Sequence, residues 1–327
     1  MSGTNLYSVY RRTARAAAKQ HVVKKTSDID VERARVDFAY FCDVVGDKKP
    51  ADHHMQWHKY LCTNEDSECL VGIGGPNVDI LAPRGSAKST VLGLFTAWAI
   101  GIHALHKKPL KILYISYTVD VARPKSAAIK RTIEESKLYR EIFPMVKIAK
   151  GINSNEYWSI DWKFAGIKST GEEEFTVCCA GLKGAVTSKR SHLLILDDVV
   201  KSADDIKNKD IRLMMEDNWN SVIVPTMFEG GRAICLGTRF RHDDIHNTTF
   251  TLANDWVQLV QSAITIDDNG DEVSYWPNQW SLEYLQDRRR MAPISFSFQY
   301  QNQIVQTSEL SLSPDLIVKG QIPTEFD

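Results

Sequence analysis

A short run of small residues, a lysine and a hydroxyl side chain stand together after the apolar segment at residues 78–82. The run reads APRGSAKST, and a long amphipathic stretch follows it. A polyphosphate is bound by backbone N–H groups that converge at a helix N-terminus, by a lysine ammonium and by a hydroxyl that binds Mg²⁺. Lys88 and Ser89 have the residue types and the spacing for the last two roles. The sequence therefore predicts a phosphate-binding loop between a strand and a helix.

The loop departs from the usual pattern of such motifs at two positions. Ala82 and Ala87 stand where the pattern G-x-x-x-x-G-K-[ST] has its two glycines. Alanine still permits close approach of the backbone, but a left-handed conformation at Ala87 would cost about 1 kcal/mol. The alternative is an ordinary strand-to-helix turn that Ser89 caps. Under the first interpretation, the residues that contact the nucleotide are Pro83, Arg84, Gly85, Ser86, Ala87, Lys88, Ser89 and Thr90.

A second apolar segment ends in two acids. HLLILDDVV has the continuous hydrophobicity of a buried parallel strand, and Asp197 and Asp198 stand at its C-terminal end, where open α/β sheets bind ligands. Hydrolysis of a nucleotide needs one carboxylate that organises Mg²⁺ and another that orients the attacking water. We assign Asp197 to the metal, together with Ser89, and Asp198 to the water, where many such enzymes have glutamate. The alternative is a pair of aspartates that cap a helix.

A third apolar segment, RAICLGTRF, ends in Gly237, Thr238 and Arg239. A threonine at the end of such a strand can hydrogen-bond the terminal phosphate of a nucleotide and report its loss to the rest of the fold. A simple exit from strand to turn is the alternative. The presence of all three segments in one chain favours the nucleotide interpretation of each.

These segments alternate with helical stretches, a pattern typical of an α/β fold whose mainly parallel sheet is covered by helices. The predicted strands span residues 78–82, 110–116, 174–180, 192–197, 232–237 and 256–264. The predicted helices span residues 88–106, 119–137, 208–220 and 281–290, and two further helices are expected within residues 31–65. Residues 150–173 and 265–280 are rich in Gly, Asn, Asp and Ser, which indicates hairpins or loops.

Composition and charge exclude few functions. The chain of 327 residues has 40 lysines and arginines against 41 aspartates and glutamates, so a nucleic-acid surface would have to be a local patch. It has no apolar run long enough to span a membrane and no secretory signal at its N-terminus, which predicts a cytoplasmic protein without a membrane segment. Its six cysteines are few for this length and predict reduced thiols.

Three potential metal ligands, His54, His58 and Cys62, are spaced four residues apart, and Cys69 follows them. This spacing places the three side chains on one face of a helix, but no CxxC pair completes a usual zinc site. We therefore interpret this segment as a surface helix with incidental histidines.

Together, the segments LAPRGSAKST, GLKGAVTSKRSHLLILDDVV and ICLGTRF resemble the ATPase domain of large terminases of tailed bacteriophages, in particular those of short-tailed podoviruses. The resemblance extends from about residue 50 to residue 305. It implies a P-loop NTPase fold of the ASCE or RecA-like type with a small lid subdomain. It also implies a motor that uses ATP and Mg²⁺ to translocate double-stranded DNA into a procapsid.

The family also implies partners and an assembly. Terminase ATPases work with a portal protein and a small terminase subunit, and a homo-oligomeric ring, a pentamer, is expected. Such a ring acts in the host cytoplasm while it is docked on the procapsid, with no membrane involved.

The resemblance assigns roles to further single residues. Terminases have an arginine in the phosphate loop four positions before the lysine, which here is Arg84, and its family role is nucleotide sensing or contact with the γ-phosphate. A glutamine before the loop reads adenine in the family, and Gln56 is the matching residue. The strand that carries Thr238 ends in a motif that couples ATP cleavage to DNA movement.

Ring-forming terminases borrow an arginine from the neighbouring subunit to stabilise the transition state. Arg190, in the loop before HLLILDD, is the predicted residue. Lys183 and Arg239 are the alternatives, and a plain surface charge is the other interpretation of Arg190.

Three regions are predicted along the chain. Residues 1–50 form a basic arm and helix, residues 51–305 form the ATPase domain with its lid subdomain, and residues 306–327 form a linker, with the nuclease domain of full-length terminases absent. Two other functions share much of this evidence: a helicase-like, DNA-stimulated translocase, and a P-loop module that binds nucleotide without hydrolysing it. The paired acids Asp197 and Asp198 argue against the second, because a binding module needs no second carboxylate.

Overall fold

Eight strands form one sheet at the centre of this computed structural model, which describes residues 29–62, 72–169, 171, 174–184, 189–253 and 255–303. The strands are β1 (Asn77–Leu81), β2 (Ile112–Ser116), β3 (Ile148–Asn153), β4 (Tyr157–Ile160), β5 (Val177–Gly181), β6 (Ser191–Asp197), β7 (Met227–Gly237) and β8 (Trp256–Val260). They lie in the order β3-β4-β5-β2-β6-β7-β1-β8. The predicted basic arm before residue 29 and the predicted linker lie outside the described residues.

The central strands are apolar throughout because both faces of the sheet are covered. Along β2, Ile112 and Tyr114 belong to one apolar core, and Leu113 and Ile115 belong to a second core on the other face. Every pair in the stretch β5-β2-β6-β7-β1-β8 is parallel, whereas β3 and β4 pair antiparallel at one side. Continuous hydrophobic strands are typical of parallel sheets with two covered faces. The predicted α/β class and mainly parallel sheet are therefore confirmed.

One strand lies between the strand that leads into the predicted phosphate loop and the strand that ends in the two acids. β7 pairs with β1 on one side and with β6 on the other. In this register Leu81 lies opposite Gly237, and Asp197 lies opposite Leu236. Because the three strands are parallel, the three segments that carry the predicted site residues end side by side at one edge of the sheet.

Nine α-helices accompany the strands within the described residues. They are α1 (Val31–Val36), α2 (Phe38–Val45), α3 (Asp52–Leu61), α4 (Lys88–Leu105), α5 (Val119–Glu135), α6 (Lys137–Ile142), α7 (Lys209–Asp217), α8 (Leu282–Met291) and α9 (Pro293–Gln299). Among the described helices, α4 alone has the length and apolar composition that could cross a membrane. Of its residues, 78% are buried within the domain, so we interpret it as the core helix that packs on the sheet.

The N-terminal helices differ from the prediction. The sequence predicts two helices within residues 31–65, and the structure has three. Asp37 separates α1 from α2, because its carboxylate accepts a hydrogen bond from the backbone N–H of Tyr40 and so caps α2. Asp30 caps α1 in the same way through the N–H of Arg33. Two capping aspartates therefore divide a stretch whose apolar spacing is continuous.

Hairpins occupy the segments predicted as hairpins or loops. β3 and β4 form the first, and β9 (Ile264–Ile266) with β10 (Glu272–Ser274) forms the second. The second hairpin shares a small apolar core with α8 and α9, made of Ala263, Ile264, Leu285 and Phe296. We refer to residues 263–303 as the C-terminal unit.

Arg232 is a fully buried arginine that joins α3 to the sheet. Its guanidinium donates hydrogen bonds to the backbone carbonyls of Tyr60 at 2.6 Å, Leu61 at 3.3 Å and Pro76 at 2.7 Å. The last carbonyls of a helix have no partner within the helix, and a positive charge at that end also favours the helix dipole. Burial lowers the pKa of Arg232 to about 10, which keeps the group charged at neutral pH.

We expect Arg232→Met to lower the free energy of unfolding by about 3 kcal/mol, because three buried carbonyls lose their donors. Chemical denaturation of the two proteins measures the difference. Arg290→Met is the matched control, since the Arg290 side chain is 77% exposed, and it should stay within about 0.5 kcal/mol of the wild type. An Arg232→Met protein as stable as the control would contradict the capping role.

Candidate functional site

The segment between β1 and α4 folds as a tight loop with two residues in left-handed conformations. Gly85 has a φ of 81° and Ala87 a φ of 63°. The N–H of Ser86 donates to the carbonyl of Pro83 at 3.2 Å, and the N–H of Val91 donates to the carbonyl of Ala87 at 3.0 Å, which starts the helix. The left-handed conformation costs alanine roughly 1 kcal/mol. Such strain persists only where the surrounding structure enforces it.

The ammonium of Lys88 is enclosed by this loop. Its Nζ donates hydrogen bonds to the carbonyls of Ala82 at 3.2 Å and Pro83 at 3.1 Å. Burial lowers the pKa of Lys88, whereas the nearby charges of Asp198 and Asp197 raise it. Within the described part of the chain, its hydrogen-bond partners are neutral carbonyls. A buried cation with neutral partners is suited to bind an incoming anionic oxygen.

Asp197 is a fully buried carboxylate at the end of β6. Its Oδ1 accepts a hydrogen bond from the Ser89 hydroxyl at 2.8 Å, and its Oδ2 accepts one from the Tyr114 hydroxyl at 2.7 Å. The Nζ of Lys125 lies 3.0 Å from Oδ2. Burial raises the pKa of Asp197, and the charge of Lys125 lowers it. Hydroxyl and carboxylate oxygens are ligands that Mg²⁺ prefers, so Ser89 and Asp197 fit a magnesium site.

Asp198 leaves the strand with a left-handed backbone, at a φ of 50°. Its N–H donates to the carbonyl of Leu236 at 3.1 Å, which extends the pairing of β6 with β7. The side chain is partly exposed, and its charge acts on Lys88 more strongly than the charge of Asp197 does. A carboxylate within electrostatic range of the loop lysine and open to solvent is suited to orient a water molecule.

Thr238 connects the end of β7 to the start of the loop. Its hydroxyl donates a 3.3 Å hydrogen bond to the carbonyl of Ala82, which Lys88 also contacts. The next residue, Arg239, is buried, and its guanidinium donates to the carbonyl of Asn302 and to the Oδ1 of Asn247. Arg239 is therefore an internal connection to the C-terminal unit, and it does not present its guanidinium to a neighbouring subunit.

The C-terminal unit contacts the loop at two consecutive residues. The backbone N–H and Nη1 of Arg84 donate to the backbone carbonyl and the Oε1 of Gln299, both at 2.9 Å. The indole N–H of Trp280 donates to the carbonyl of Gly85 at 3.3 Å, and a Cβ at Gly85 would lie 2.6 Å from the indole ring. Only glycine fits there. Sequence reasoning missed both partners, which follow the loop by 195 and 215 residues, although the glutamine-rich segment FSFQYQNQ contains one of them.

The side chain of His54 hydrogen-bonds to Ser86, the loop residue that follows Gly85. The N–H of Ala51 donates to its Nδ1 at 3.0 Å, so the ring proton is on Nε2, which donates to the carbonyl of Ser86 at 2.9 Å. Burial lowers the pKa of His54 and keeps the ring neutral. His53 and His58 are buried as well. The interpretation of this segment as a surface helix is therefore wrong, because aromatic rings of α2 and of the C-terminal unit cover its histidines.

A second set of potential metal ligands lies inside the sheet. The ligand atoms of Asp79, Cys235 and His246 are within 4.8 Å of one another, and all three residues are buried. The Nδ1 of His246 lies 2.9 Å from one oxygen of Asp79, and Gln258 donates to the other oxygen at 2.9 Å. Both carboxylate oxygens are thus hydrogen-bonded, and we interpret the group as a polar network that joins β8 and the segment after β7 to β1. Cys69 lies outside the described residues.

A cavity of about 530 Å³ opens beside the loop, next to Ala87 and Thr90. Gln56 does not line it. The Gln56 side chain is exposed, and its Oε1 accepts a 2.8 Å hydrogen bond from Gln261. The other residues around the cavity come from the N-terminal segment, from α4 and from the C-terminal unit, and include Lys48, Pro50, His54, His58, Leu94, Trp276 and Gln279.

Arg190 lies at the opposite edge of the sheet from the other site residues. It is exposed immediately before β6, and its guanidinium carbon lies 5.1 Å from the ring centroid of Phe228. A strand rises about 3.3 Å per residue, so roughly 20 Å separate Arg190 from Asp197 at the other end of β6. Lys183 follows β5 at the edge of the site, where its Nζ donates to the Tyr117 hydroxyl at 3.0 Å. Within one chain, Arg190 is therefore not brought to the site.

Solved structures include domains with the same architecture, although no family model and no curated protein sequence matches this chain. A mutant of the large terminase ATPase domain of Thermus phage P74-26 is similar over 81% of this chain and 98% of its own, with 13% identity and a TM-score of 0.51. This chain has the fold of a terminase ATPase domain.

Two further similar structures are also of large terminases. The ATPase domain of the Thermus phage P74-26 large terminase, without the mutation, matches 78% of this chain and 99% of its own, with 15% identity and a TM-score of 0.40. The large terminase of another thermophilic bacteriophage matches 76% of this chain and 52% of its own length, with 8% identity and a TM-score of 0.43.

We expect the free energy of unfolding of this terminase-like domain to decrease below about pH 6.5, the usual pKa of histidine. Burial lowers the pKa of His53 to about 3 and of His58 to about 4, and it also lowers that of His54. Below pH 6.5 the unfolded chain binds protons at these imidazoles, while the folded chain keeps them neutral. Stability is therefore complete above pH 6.5 and decreases as the pH falls, by on the order of 1 kcal/mol per imidazole and pH unit.

Urea denaturation at about pH 8, 6.5 and 5.5 measures this dependence for the wild type, for His58→Gln and for the control His106→Gln, whose histidine is exposed. The His58→Gln protein should lose less stability than the wild type on acidification, and the control should follow the wild type. His246 acts in the opposite sense in all three proteins: burial lowers its pKa, but Asp79 and Asp244 together outweigh burial and raise it. Its contribution is present below pH 6.5 and is lost as the pH rises. Equal slopes for the wild type and His58→Gln would rule out the role of His58.

Proposed function

We propose that this chain is the ATPase motor domain of a large terminase, which hydrolyses ATP with Mg²⁺ and translocates double-stranded DNA into a procapsid. The observation that supports the proposal best is the convergence of Lys88, Ser89, Asp197 and Asp198 at one edge of a sheet with the terminase ATPase fold. Nucleotide hydrolysis requires a lysine for the phosphates, a hydroxyl for the metal and two carboxylates.

In this proposal the loop from Pro83 to Thr90 surrounds the phosphates of ATP at the N-terminus of α4, where the helix dipole favours negative charge. Lys88 exchanges its two carbonyl partners for phosphate oxygens. Ser89 and Asp197 would hold Mg²⁺, which would neutralise negative charge on the phosphates. The fit rests on the 2.8 Å contact between the Ser89 hydroxyl and the Asp197 carboxylate, which already places two oxygen ligands together.

Three residues act on the reacting end of the nucleotide. Asp198 orients the attacking water and accepts its proton. Arg84 is bonded to Gln299 in this structure and contacts the γ-phosphate when it leaves that partner, since a guanidinium pairs well with phosphate oxygens. Thr238 bonds the same Ala82 carbonyl as Lys88, so a change at the lysine is transmitted to the end of β7.

The 530 Å³ cavity is the proposed site of the adenosine moiety. Its size is in the usual range for ligand pockets, and Trp276 offers an aromatic surface for a base. The Nε2 of His58 has no hydrogen-bond partner among the described residues, and the Gln279 amide also lines the cavity. Gln56 can contact the adenine only after its hydrogen bond with Gln261 breaks. The geometry therefore favours Gln279, which lines the cavity, as the residue that contacts adenine.

The motor is proposed to work as a homo-oligomeric ring, a pentamer, docked through the portal protein and the small terminase subunit on the procapsid in the host cytoplasm. The C-terminal unit is the proposed lid subdomain, within an ATPase domain at residues 51–305. Its grip on DNA uses lysine and arginine contacts with phosphates and is therefore salt-sensitive. The exposed position of Arg190, at the edge of the sheet opposite the nucleotide site, supports a role in the site of a neighbouring copy.

Phosphate release should require Lys88, Asp198 and Mg²⁺. We expect Lys88→Ala to lose nucleotide binding and hydrolysis, and EDTA to abolish hydrolysis by the wild type. Asp198→Asn should bind a fluorescent ATP analogue like the wild type but hydrolyse ATP at least about 100-fold more slowly, because an amide cannot accept a proton. Arg290→Ala is the control and should keep full activity.

The outcomes also separate the competing functions. Equal phosphate release by the wild type and Lys88→Ala would eliminate the ATPase, and binding without any release would favour a P-loop binding module. An unchanged rate for Asp198→Asn would remove Asp198 from the base role. Separation of the strands of a forked duplex would favour a helicase-like translocase.

Arg190→Ala should hydrolyse ATP about 10³-fold or more slowly than the wild type, as expected for loss of an arginine that stabilises the transition state. A mixture of Arg190→Ala and Lys88→Ala subunits should be more active than either alone, because an intact site can then receive an intact arginine from its neighbour. A mixture of Lys88→Ala and Asp198→Asn subunits should stay inactive. Each change damages the nucleotide site of the subunit that carries it, so no subunit in the mixture has an intact site. Failure of the first mixture to regain activity would exclude a role for Arg190 across an interface.

A further inference from the structure

The ammonium of Lys125 is held against the buried carboxylate of Asp197, and the proposed reaction gives this contact no role. The Nζ of Lys125 lies 3.0 Å from Oδ2 of Asp197 and donates to the backbone carbonyl of Asp197, also at 3.0 Å. It lies 3.4 Å from the hydroxyl of Ser116. In the described part of the chain, Lys125 is the basic residue that forms a salt bridge with Asp197.

The carboxylate of Asp197 is fully engaged by its own neighbours. Oδ1 accepts from the Ser89 hydroxyl, and Oδ2 accepts from the Tyr114 hydroxyl and contacts Lys125. A divalent cation bound at Ser89 and Asp197 would lie beside the ammonium, and two positive groups would share one buried carboxylate. Like charges repel strongly in such surroundings. Tight binding of the cation therefore requires that the ammonium moves away.

The surroundings of Lys125 leave room for that movement. Its side chain is 18% exposed and lines a cavity of about 470 Å³ that Ser89 and Thr90 also line. The preceding residue, Pro124, lies inside α5 and has no N–H, so the helix lacks the hydrogen bond to the carbonyl of Asp120 at this turn. A lysine stem of four carbons can rotate into the cavity without movement of the sheet.

We propose that Lys125 is a positioning residue that holds Asp197 in the metal-free site and is displaced when a divalent cation arrives with the nucleotide. This inference rests on the proposed ATPase function, because it concerns the cation of the same site. Lys125 acts as a competitor of the cation. The energy needed to displace Lys125 sets how much cation is required to fill the site.

The displacement of Lys125 would also affect the β3–β4 hairpin, because other side chains of α5 contact it. Arg123, two residues before Lys125, pairs with Glu156 in the turn of that hairpin at 2.8 Å. Lys130, five residues further along α5, donates to the side chain of Asn153 at the end of β3, at 2.9 Å. A shift of the first half of α5 that follows the withdrawal of Lys125 therefore reaches the hairpin through side-chain contacts on both sides of the lysine.

Binding of Mn²⁺, followed by electron paramagnetic resonance at about pH 8, tests the competition directly. The wild type, Lys125→Met, Lys125→Arg and the control Lys137→Met, whose lysine is exposed on α6, are compared with and without a non-hydrolysable ATP analogue. Lys125→Met should bind Mn²⁺ about tenfold more tightly than the wild type, whereas the arginine variant and the control should stay within about twofold of it. Unchanged or weaker binding by Lys125→Met would overturn the proposal, since a purely structural ion pair predicts one of these results.

Two further comparisons separate the remaining explanations. Weaker binding of the analogue to Lys125→Met in EDTA would show that the lysine contacts phosphate, which would also overturn the proposal. If the wild type binds no analogue at all, the ATPase proposal fails, but the Mn²⁺ titration without nucleotide still decides whether Lys125 competes with the cation.

Hydrogen exchange on the wild type provides a test that does not depend on the folding of a variant. Amides in the first half of α5 and in the β3–β4 hairpin should exchange several-fold faster with the analogue and Mg²⁺ than with the analogue and EDTA. Unchanged exchange in α5 and in the hairpin would overturn the coupling of the Lys125 displacement to the hairpin.

Discussion

A carboxylate without access to solvent has to be neutralised and hydrogen-bonded by its neighbours, and Asp197 imposes this requirement on the whole site. Its partners are Ser89 at the start of α4, Tyr114 in the middle of β2 and Lys125 in α5. Each belongs to a different element, and all three meet at the end of β6. One buried charge thus fixes the positions of the helices and strands around the proposed reaction centre.

The predicted phosphate loop depends on residues from both ends of the described chain. His54 holds it from the N-terminal side, and Trp280 and Gln299 hold it from the C-terminal unit. These contacts engage consecutive loop residues, directly before the strained Ala87. They provide the surroundings that keep an alanine in a left-handed conformation. The loop geometry is therefore a property of the domain, and a short motif with two alanines in glycine positions can retain it.

The sheet and the convergence of Lys88, Asp197 and Thr238 are predictable from sequence because each depends on a local pattern, an apolar strand that ends in polar residues. The strain at Ala87 is also predictable, because an alanine stands there at a glycine position of the phosphate-loop pattern. The burial of the α3 histidines is not, since the rings that cover them include residues more than 200 positions later in the chain. Lys125 contacts Asp197, which lies 72 positions later, and Trp280 contacts Gly85, which lies 195 positions earlier. Contacts at such separations leave no periodic signal in the sequence.

The backbone at Asp198 restricts which acid can stand there. A left-handed conformation is tolerated by aspartate and asparagine better than by longer side chains, so the φ of 50° disfavours glutamate at this position. The aspartate carboxylate is one carbon–carbon bond, about 1.5 Å, nearer to its own Cα than a glutamate carboxylate. In the proposed reaction, the water that Asp198 orients would therefore lie closer to the tip of β6. A torsion angle of the main chain thereby restricts the length of the acidic side chain, and with it the position of the proposed reaction relative to the sheet.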